Sequence, residues 1–325
     1  MKHILVVGGG GYIGSHMINY LSLRGVKVTN IDNFSTGYSD AILFGEVYQG
    51  SMGDRNLLGD IFSSNTVDAV LHFGSYINVQ ESVENPGKYY ENNVGEMIIF
   101  LNEMVKYGVK KLIFSSSAAV YGHPSYVPMD EKHPTSPVSP YGKSKFMVEQ
   151  ILEDYDRAYD LQHVCLRYFN AAGANPDALL GERHCPETHL IPLAIGAAVG
   201  SREKLTIFGD NWNTTDGTCV RDYVHVEDIC SAHYLSLGWL CDGNKSRVFN
   251  IGTGVGYTVK QVIQMVEKVT GCEVPYNYVE GRQGDPPELI ADSSLARAEL
   301  KWGPAYADLE QIVQHAWNWE RKERR

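Results

Sequence analysis

The chain has 325 residues, of which 43% are apolar and 21% are charged, and its formal net charge is −11. This length and composition fit one large α/β domain or two smaller domains and exclude a chain that is mostly disordered. The acidic balance excludes a broad basic surface for nucleic acid or acidic membranes, and no apolar run approaches the roughly 18 residues that a membrane span needs.

Strand-like and helix-like segments alternate through the first half of the chain. Strands are predicted at 4–7, 27–31, 69–73, 111–115 and 162–167, and helices at 12–23, 89–107 and 143–159. Strands that alternate with helices favour an α/β fold with a Rossmann-type, doubly wound parallel sheet. Segments 173–190 and 209–221 are rich in Gly, Asn, Asp, Thr and Pro, which is typical of long functional loops. Two further amphipathic helices are predicted at 259–269 and 309–319.

The first apolar run and the cysteines bear on the compartment of the protein. Residues 4–7 are too few for the core of a signal peptide. The six cysteines are scattered without a CxxC pair, which argues against a disulfide framework or a zinc knuckle. We therefore expect reduced thiols and a cytoplasmic protein.

A glycine-rich turn follows the first predicted strand and begins the first predicted helix. Gly8, Gly11 and Gly14 have the spacing GxxGxxG. The first glycine permits a tight turn, the second lets the backbone approach a pyrophosphate, and the third lets helix pack against strand. The helix N-terminus offers free N–H groups and a positive dipole end to phosphates. A glycine run alone is weak evidence, but in this strand–turn–helix context it predicts a dinucleotide site.

Asp32 lies at the end of the second predicted strand, 18 residues beyond Gly14. A carboxylate at this place accepts hydrogen bonds from the ribose diol of adenosine and repels a 2′-phosphate. An aspartate can also cap a helix, but this spacing favours the ribose. The predicted cofactor is therefore NAD rather than NADP.

A tyrosine, a lysine and a serine form the candidate catalytic set. Tyr141 and Lys145 are four residues apart and share one helix face. A nearby ammonium lowers the pKa of a phenol, which makes the tyrosine a usable base near neutral pH. Ser117 follows an apolar strand whose carboxyl end faces the ligand crevice of a parallel sheet. Each residue alone could be an ordinary surface or turn residue, but together with the glycine turn they indicate an enzyme.

The chain resembles the UDP-glucose 4-epimerase family of the extended short-chain dehydrogenases/reductases over nearly its whole length. The resemblance is carried by residues 10–16, Asp32–Asn33, 115–122, 139–150, 166–170, 220–225 and Gly284–Asp285. It implies an NAD-dependent isomerase that oxidises C4 of a UDP-hexose and reduces it again from the other face. In that mechanism Tyr141 removes the proton of the 4-hydroxyl, Ser117 shares the hydrogen bond, and Lys145 contacts the nicotinamide ribose.

The resemblance also implies two sets of binding residues. The cofactor set is Gly8, Gly11, Tyr12, Ile13, Asp32, Asn33, Phe34, Ser35, Thr36, Gly37, Ser51, Met52, Phe73, Gly74, Ser75, Ile77, Asn92, Ser115, Tyr141, Lys145, Tyr168 and Phe169. The UDP-sugar set is Ser117, Tyr141, Asn170, His189, Leu190, Thr206, Ile207, Phe208, Arg221, Arg282, Asp285 and Leu289. The two arginines suit a pyrophosphate because guanidinium groups pair with phosphate oxygens.

Several positions depart from the pattern of the family. Many members have an aspartate where this chain has Ser51, and that aspartate accepts a hydrogen bond from the adenine amine; weaker cofactor retention is therefore expected. His189 replaces an asparagine that contacts the nucleotide in some members. Leu289 stands at a position that gates the sugar pocket, and its intermediate size leads us to expect UDP-glucose and UDP-galactose as the main pair. An N-acetylhexosamine or a pentose is the alternative sugar.

One short segment contains three residues of types that bind metals, His184, Cys185 and His189. The spacing of the two histidines does not suit one helix face, and Pro186 breaks any regular structure between them. We therefore predict a loop without a metal.

Two other functions are alternatives for this scaffold. Related sugar-nucleotide dehydratases and decarboxylases carry an acidic residue two positions after the serine, whereas Ala118 and Ala119 follow Ser117 here. A non-catalytic NAD-binding regulator would have no need for Ser117, Tyr141 and Lys145 together.

The expected architecture is an NAD-binding Rossmann domain at 1–170, with a returning segment near 222–252, and a smaller C-terminal α/β domain at 171–325 that binds the UDP-sugar. The resemblance further implies a homodimer through the helices at 89–107 and 143–159. We do not expect the protein to bind nucleic acid or membranes.

Overall fold

The computed structural model describes residues 2–282 and 285–323. The strands are His3–Val7 (β1), Lys27–Asp32 (β2), Glu46–Gln49 (β3), Ala69–His72 (β4), Lys111–Ser115 (β5), Gln162–Tyr168 (β6), Asn170–Ala172 (β7), Leu205–Phe208 (β8), Val220–His225 (β9), Arg247–Ile251 (β10), Gly256–Thr258 (β11), Tyr276–Val279 (β12) and Glu288–Leu289 (β13). The α-helices are Tyr12–Ser22 (α1), Arg55–Ser64 (α2), Val79–Glu84 (α3), Pro86–Tyr90 (α4), Met97–Lys106 (α5), Pro140–Tyr159 (α6), Leu190–Ala198 (α7), Val226–Cys241 (α8), Val259–Thr270 (α9), Ser294–Glu299 (α10) and Leu309–Glu323 (α11).

The main sheet has the strand order β10-β6-β5-β4-β1-β2-β3, and all its pairs are parallel. The chain runs outward from β1 to β3 on one side and from β4 to β6 on the other. The order therefore reverses between β1 and β4, and this switch point is where doubly wound sheets bind ligands. The predicted α/β fold with a doubly wound parallel sheet is confirmed.

Side chains that alternate along β1 bury the two faces of the sheet. Ile4 and Val6 pack into a core with residues of α1 and α8, while Leu5 and Val7 pack into a core with residues of α2, α5 and α6. This division follows from the two-residue period of a strand, and it explains why the first strand is apolar without interruption.

The later part of the chain builds smaller sheets beside the main one. β9 pairs with β7, β11 and β13, and β8 pairs with β12. A third core of residues from α7, α9 and α11 packs with them. β10 returns to the edge of the main sheet, where Arg247–Ile251 pairs with 164–168. The proposed division at 170 and 171 stays a prediction.

Some predicted elements differ from the structure in detail. The helix predicted over 89–107 consists of the end of α4, a π-helical stretch at Glu91–Glu96, and α5. Strand β3 was not predicted because it lies at the sheet edge with mostly exposed side chains and no apolar pattern. Among the described residues, no helix combines the length and apolar character needed to cross a membrane.

Candidate active site

The glycine turn lies at the switch point of the main sheet. Gly8 has φ +80°, and a Cβ on it would lie 2.7 Å from the backbone nitrogen of Gly74, just after β4. A Cβ on Gly14 would lie 2.1 Å from the carbonyl oxygen of Gly8. The turn after β1, the start of α1 and the loop after β4 therefore approach so closely that only glycine fits. Gly11 precedes α1 as its N-cap without a side-chain cap, which leaves the first N–H groups of the helix for a ligand.

The segment after β2 packs directly on this turn. One carboxylate oxygen of Asp32 accepts from the Gly10 N–H at 2.8 Å, and the other accepts from the Phe34 N–H at 2.7 Å. Phe34 has φ +55°, which bends the segment 33–37 over the turn. A Cβ on Gly37 would lie 2.7 Å from the Gly10 carbonyl carbon. The predicted residues after β2 are thus brought to the glycine turn.

The loop after β4 connects the turn to the π-helical stretch. The side-chain amide of Asn92 donates to the Gly74 carbonyl at 3.4 Å. Its neighbour Asn93 accepts from the Tyr76 N–H and donates to the Ser144 hydroxyl at 3.1 Å. This contact fixes the π-helical stretch against α6, the helix that carries the catalytic candidates.

The three catalytic candidates come together at the carboxyl end of β5. Tyr141 and Lys145 lie on the first turns of α6 and are both buried. The Lys145 ammonium donates to the Ser115 carbonyl at 2.7 Å and lies 5.9 Å from the centroid of the Tyr141 ring. Ser117 follows β5 and accepts from the Ala119 N–H through its hydroxyl at 3.1 Å. The helix begins at Pro140, and the Ser139 hydroxyl caps it by accepting from the Gly142 N–H.

Burial dominates the electrostatics of this pair. Burial raises the pKa of the Tyr141 phenol, while the Ser117 side chain acts against that rise. Burial lowers the pKa of Lys145 to about 7, while the charges of Glu149 and Cys165 act against that fall. The expected acidic phenol is therefore not found in this structure, because desolvation disfavours the charged form of both groups. Sequence spacing placed the two residues together but could not weigh their burial.

A buried ion pair anchors α6, the helix of the catalytic candidates, on the sheet. Arg167 on β6 and Glu149 on α6 form two hydrogen bonds, of 3.0 Å from Nε and 2.5 Å from Nη2. Glu149 also accepts from the Ser116 hydroxyl at 2.5 Å, and Arg167 donates to the Tyr121 hydroxyl at 3.1 Å. Sequence analysis missed this pair, although Glu149 lies four residues after Lys145 and hence on the same face of α6.

Most of the predicted sugar-nucleotide residues surround β9 and its neighbours. Arg221 on β9 pairs with Leu289 on β13, and it donates to the carbonyl oxygen of Pro286 at 3.0 Å. The Arg282 guanidinium lies 3.8 Å above the Phe208 ring on β8. The residues that fall in this region are Thr206, Phe208, Arg221, Arg282, Asp285 and Leu289. The side chain of Ile207 is instead buried in the third core, so only its backbone is available to a ligand.

Leu289 links this region to the end of the main sheet where the catalytic candidates lie. It packs in a small apolar cluster with Ala118, Phe169 and Ala291. Phe169 is a predicted cofactor residue, and Asn170 is exposed at the start of β7. The cofactor and sugar sets therefore meet between the end of β6 and β13. Gly284, part of the predicted Gly284–Asp285 motif, lies outside the described residues.

The remaining predicted cofactor residues lie at the ends of β3, β4, β5 and β6. The Phe73 ring is 4.8 Å from that of His233, a buried residue that also contacts the Ser115 hydroxyl at 3.1 Å. Ile77 is exposed, whereas Met52 is buried. Two buried positions, His233 and His72, were not predicted, because a single histidine in a sequence gives no signal of its environment.

The loop before α7 contains an ion-pair cluster next to the glycine turn. Nδ1 of His184 lies 3.2 Å from Glu182 and 3.5 Å from Glu187, and His189 also contacts the Glu182 carboxylate. The His184 ring packs edge-on against Tyr12, with 6.3 Å between ring centroids. The four ligand atoms lie within 4.8 Å of one another, a spacing that could hold a metal. The prediction that this loop holds no metal was based on the histidines and the cysteine, without Glu182 and Glu187. It stays a prediction.

We expect this cluster to stabilise the protein most at slightly acidic pH. Burial by itself lowers the pKa of His184, but the carboxylates of Glu182 and Glu187 outweigh burial and raise this pKa to about 10. A raised pKa contributes stability below the ordinary value near 6.5, and this stability is lost as the pH rises towards about 10. His184→Gln should therefore lower the free energy of unfolding by about 1.5–3 kcal/mol near pH 6 and by less near pH 9.5. Denaturant titrations across this range measure the difference.

The exposed His123 gives a matched control for that series. His123→Gln should leave the free energy of unfolding within about 0.5 kcal/mol of the original at every pH. A destabilisation by His184→Gln that does not change with pH would contradict the ion-pair assignment and indicate packing alone.

Comparisons with known proteins agree with this geometry. Residues 4–252 match the NAD dependent epimerase/dehydratase family. A UDP-glucose 4-epimerase of Halalkalibacterium halodurans is 46% identical over 319 residues, which cover 98% of this chain and 96% of that protein. The structure of a UDP-glucose 4-epimerase from Brucella ovis in complex with NAD has a TM-score of 0.96 at 42% identity, with 98% of each chain covered. A Bifidobacterium longum UDP-glucose 4-epimerase in complex with NAD+ and UDP has a TM-score of 0.94 at 36% identity and 99% coverage of both chains.

Proposed function

The chain belongs to the NAD dependent epimerase/dehydratase family, and from that premise we propose that it interconverts UDP-glucose and UDP-galactose by epimerisation at C4 of the sugar. NAD is the cofactor of this proposal. The observation that carries it is the buried Tyr141–Lys145 pair at the carboxyl end of β5, on the same edge of the parallel sheet as the glycine turn after β1. The relatives named UDP-glucose 4-epimerase support the choice of reaction.

The glycine turn fits the cofactor on steric grounds. A side chain at Gly8 or Gly14 would collide with backbone atoms, so this cradle is kept open only by glycine. The first N–H groups of α1 would hold the pyrophosphate, and Asp32 would hold the adenosine ribose. When bound, NAD+ supplies the acceptor and later the donor of the hydride at C4.

In this proposal, side chains of the protein carry out the proton transfers. Tyr141 takes the proton of the 4-hydroxyl while C4 is oxidised, and it gives the proton back when the 4-keto sugar is reduced on its other face. Ser117 shares the hydrogen bond to the sugar oxygen. Burial lowers the pKa of Lys145 to about 7, and in this proposal its protonated form would act against the burial that raises the pKa of the Tyr141 phenol.

The sugar-nucleotide residues supply binding rather than chemistry. Arg221 and Arg282 carry positive charge on an acidic protein, and in this proposal they bind the pyrophosphate of UDP. Asn170, His189, Leu190, Thr206, Phe208 and Asp285 complete the nucleotide contacts. Leu289 borders the sugar, and Leu289→Tyr is expected to narrow any activity on N-acetyl sugars.

Turnover without added cofactor is the test of this proposal. The purified protein is incubated with UDP-galactose, and UDP-glucose is followed by chromatography. Conversion to a fixed ratio from either direction would support the epimerase and a retained cofactor together. Turnover that needs added NAD would support the reaction with a weakly held cofactor.

If UDP-galactose is not converted even with added NAD, the proposal would shift to other UDP-sugars as substrates. UDP-N-acetylglucosamine and a UDP-pentose are then tested in the same way. If protein that holds NAD converts none of these sugars, the epimerase proposal is wrong and a non-catalytic NAD-binding protein replaces it.

We also propose a homodimer through α5 and α6. Both helices expose apolar side chains to the surroundings, including Ile98 and Met147. Sedimentation should give about twice the chain mass of 36.2 kDa; a monomer would contradict the dimer but not the epimerase.

A further inference from the structure

The adenosine half of the cofactor site borders the segment after β3. Asp32, the proposed ribose ligand, pairs with Gln49 of β3, and its carbonyl accepts from the Gly50 N–H at 2.9 Å. In a doubly wound sheet the ribose and its base lie over the strand ends on this side of the switch point. Residues 50–53 are therefore placed to contact the base of the dinucleotide.

Ser51 in this segment is already engaged with a carboxylate. Its hydroxyl donates to Oε2 of Glu96 at 2.5 Å and accepts from the Gly53 N–H at 2.9 Å. The single proton of the serine is thus committed to Glu96. The carboxylate keeps free lone pairs, so Glu96 rather than Ser51 is the stronger acceptor at this place.

Gly53 leaves room for the Glu96 side chain. Among the described residues, no cationic side chain pairs with its carboxylate. A Cβ on Gly53 would lie 2.9 Å from Cγ of Glu96, so the glycine makes space for it. Within the part of the chain that the structure describes, no Lys, Arg or His nitrogen lies within 4.0 Å of its carboxylate. The carboxylate has one hydroxyl donor and keeps free lone pairs, so it can accept a hydrogen bond from a ligand.

Glu96 also lies on the ligand side of its helical segment. It ends the π-helical stretch, four residues after Asn92, which contacts the Gly74 carbonyl at the switch-point loop. Residues four apart share a face, so Glu96 and Asn92 both face the cofactor site.

We propose that Glu96 is a specificity-determining residue for the cofactor, accepting a hydrogen bond from the 6-amino group of adenine. Ser51 orients this carboxylate, so the charge that the sequence analysis found missing at position 51 is supplied from position 96. The inference rests on the proposed function, since it takes NAD as the ligand. A base with a carbonyl oxygen at position 6 would place two acceptors together, and the site should reject it.

Competition between two dinucleotides tests the proposal without any sugar turnover. The purified protein is equilibrated with a large equimolar excess of NAD and nicotinamide hypoxanthine dinucleotide. Their bases differ at position 6, an amine against a carbonyl, and in the proton that hypoxanthine carries on the adjacent N1. After gel filtration the bound dinucleotides are released with acid and quantified by chromatography. We expect the original protein to favour NAD by about tenfold to one hundredfold, as for a hydrogen bond to a charged group.

Substitutions then assign the selectivity to Glu96. Glu96→Gln should bring the ratio to within about threefold of one, because an amide can accept from an amine and also donate to a carbonyl. Ser51→Asp combined with Glu96→Gln should restore the preference for NAD, a rescue that a merely structural role of Glu96 would not give. Glu91→Gln changes an exposed glutamate of the same segment and should leave the ratio unchanged.

The outcomes separate this proposal from the cofactor assignment. A protein that retains NAD but keeps its preference in Glu96→Gln would overturn the role of Glu96 and leave the proposed function in place. A protein that retains neither dinucleotide would overturn the cofactor assignment and, with it, this inference.

Discussion

Tyr141→Phe is expected to lower the turnover of UDP-galactose by about 10²–10⁴-fold, the contribution typical of a positioned general acid–base group. The phenylalanine keeps the ring, which is buried at the start of α6, so the fold and the cofactor site should be unchanged. The loss should therefore appear in kcat, while the NAD content of the purified protein stays equal to that of the original. Chromatographic assays and acid release of the nucleotide measure the two quantities.

Tyr155→Phe provides the matched control for this substitution. Tyr155 lies on the same helix, and its hydroxyl donates to Asn102 at 2.8 Å away from the catalytic end. We expect the turnover of Tyr155→Phe to stay within about twofold of that of the unsubstituted protein. If Tyr141→Phe kept more than a tenth of the activity, Tyr141 would not be the proton carrier, and Ser117 would be the next candidate.

Glu149→Gln is expected to destabilise the protein by about 3–5 kcal/mol, the cost of leaving a buried charge without its partner. Arg167 and Glu149 have side-chain exposures of 7% and 4%, so water cannot replace the lost charge. Removing the carboxylate would also weaken the link between α6 and Ser116, which directly follows β5. Denaturant unfolding should show a lower midpoint with an unchanged slope.

The surface of the same helix offers a control for this ion pair. Glu153 pairs with Arg157 at 3.7 Å, and both side chains are more than half exposed. Glu153→Gln should change the free energy of unfolding by no more than about 1 kcal/mol, because exposed ion pairs contribute little. A similar small effect from Glu149→Gln would show that the buried pair does not hold the helix in place.

Local spacing was enough to predict much of the cofactor site. Gly8 and Gly11 lie in the turn after β1, Gly14 lies in the first turn of α1, and Asp32 ends the next strand of the same unit. Tyr141 and Lys145 share one helix turn, so their proximity follows from helical geometry alone. The parallel sheet follows from the alternation of strands and helices, and the structure confirms it.

Pairings between distant segments were not predictable in the same way. Ser51 and Glu96 are 45 residues apart, and their contact depends on how the π-helical stretch packs against the end of β3. Glu182 and Glu187 join the two histidines only because the loop folds back on α1. An isolated polar residue has the same local signal whether it faces water or a binding site.

The sequence by itself determined the fold class, and it predicted the glycine turn and the proposed catalytic pair, because each depends on contacts between neighbours along the chain. The tertiary structure alone decided the burial of Tyr141 and Lys145, and hence the direction of their pKa shifts. It also decided that the carboxylate of Glu96 lies beside Ser51. The physical reason is that desolvation and long-range contacts depend on which elements pack together, and spacing along one element does not specify that packing.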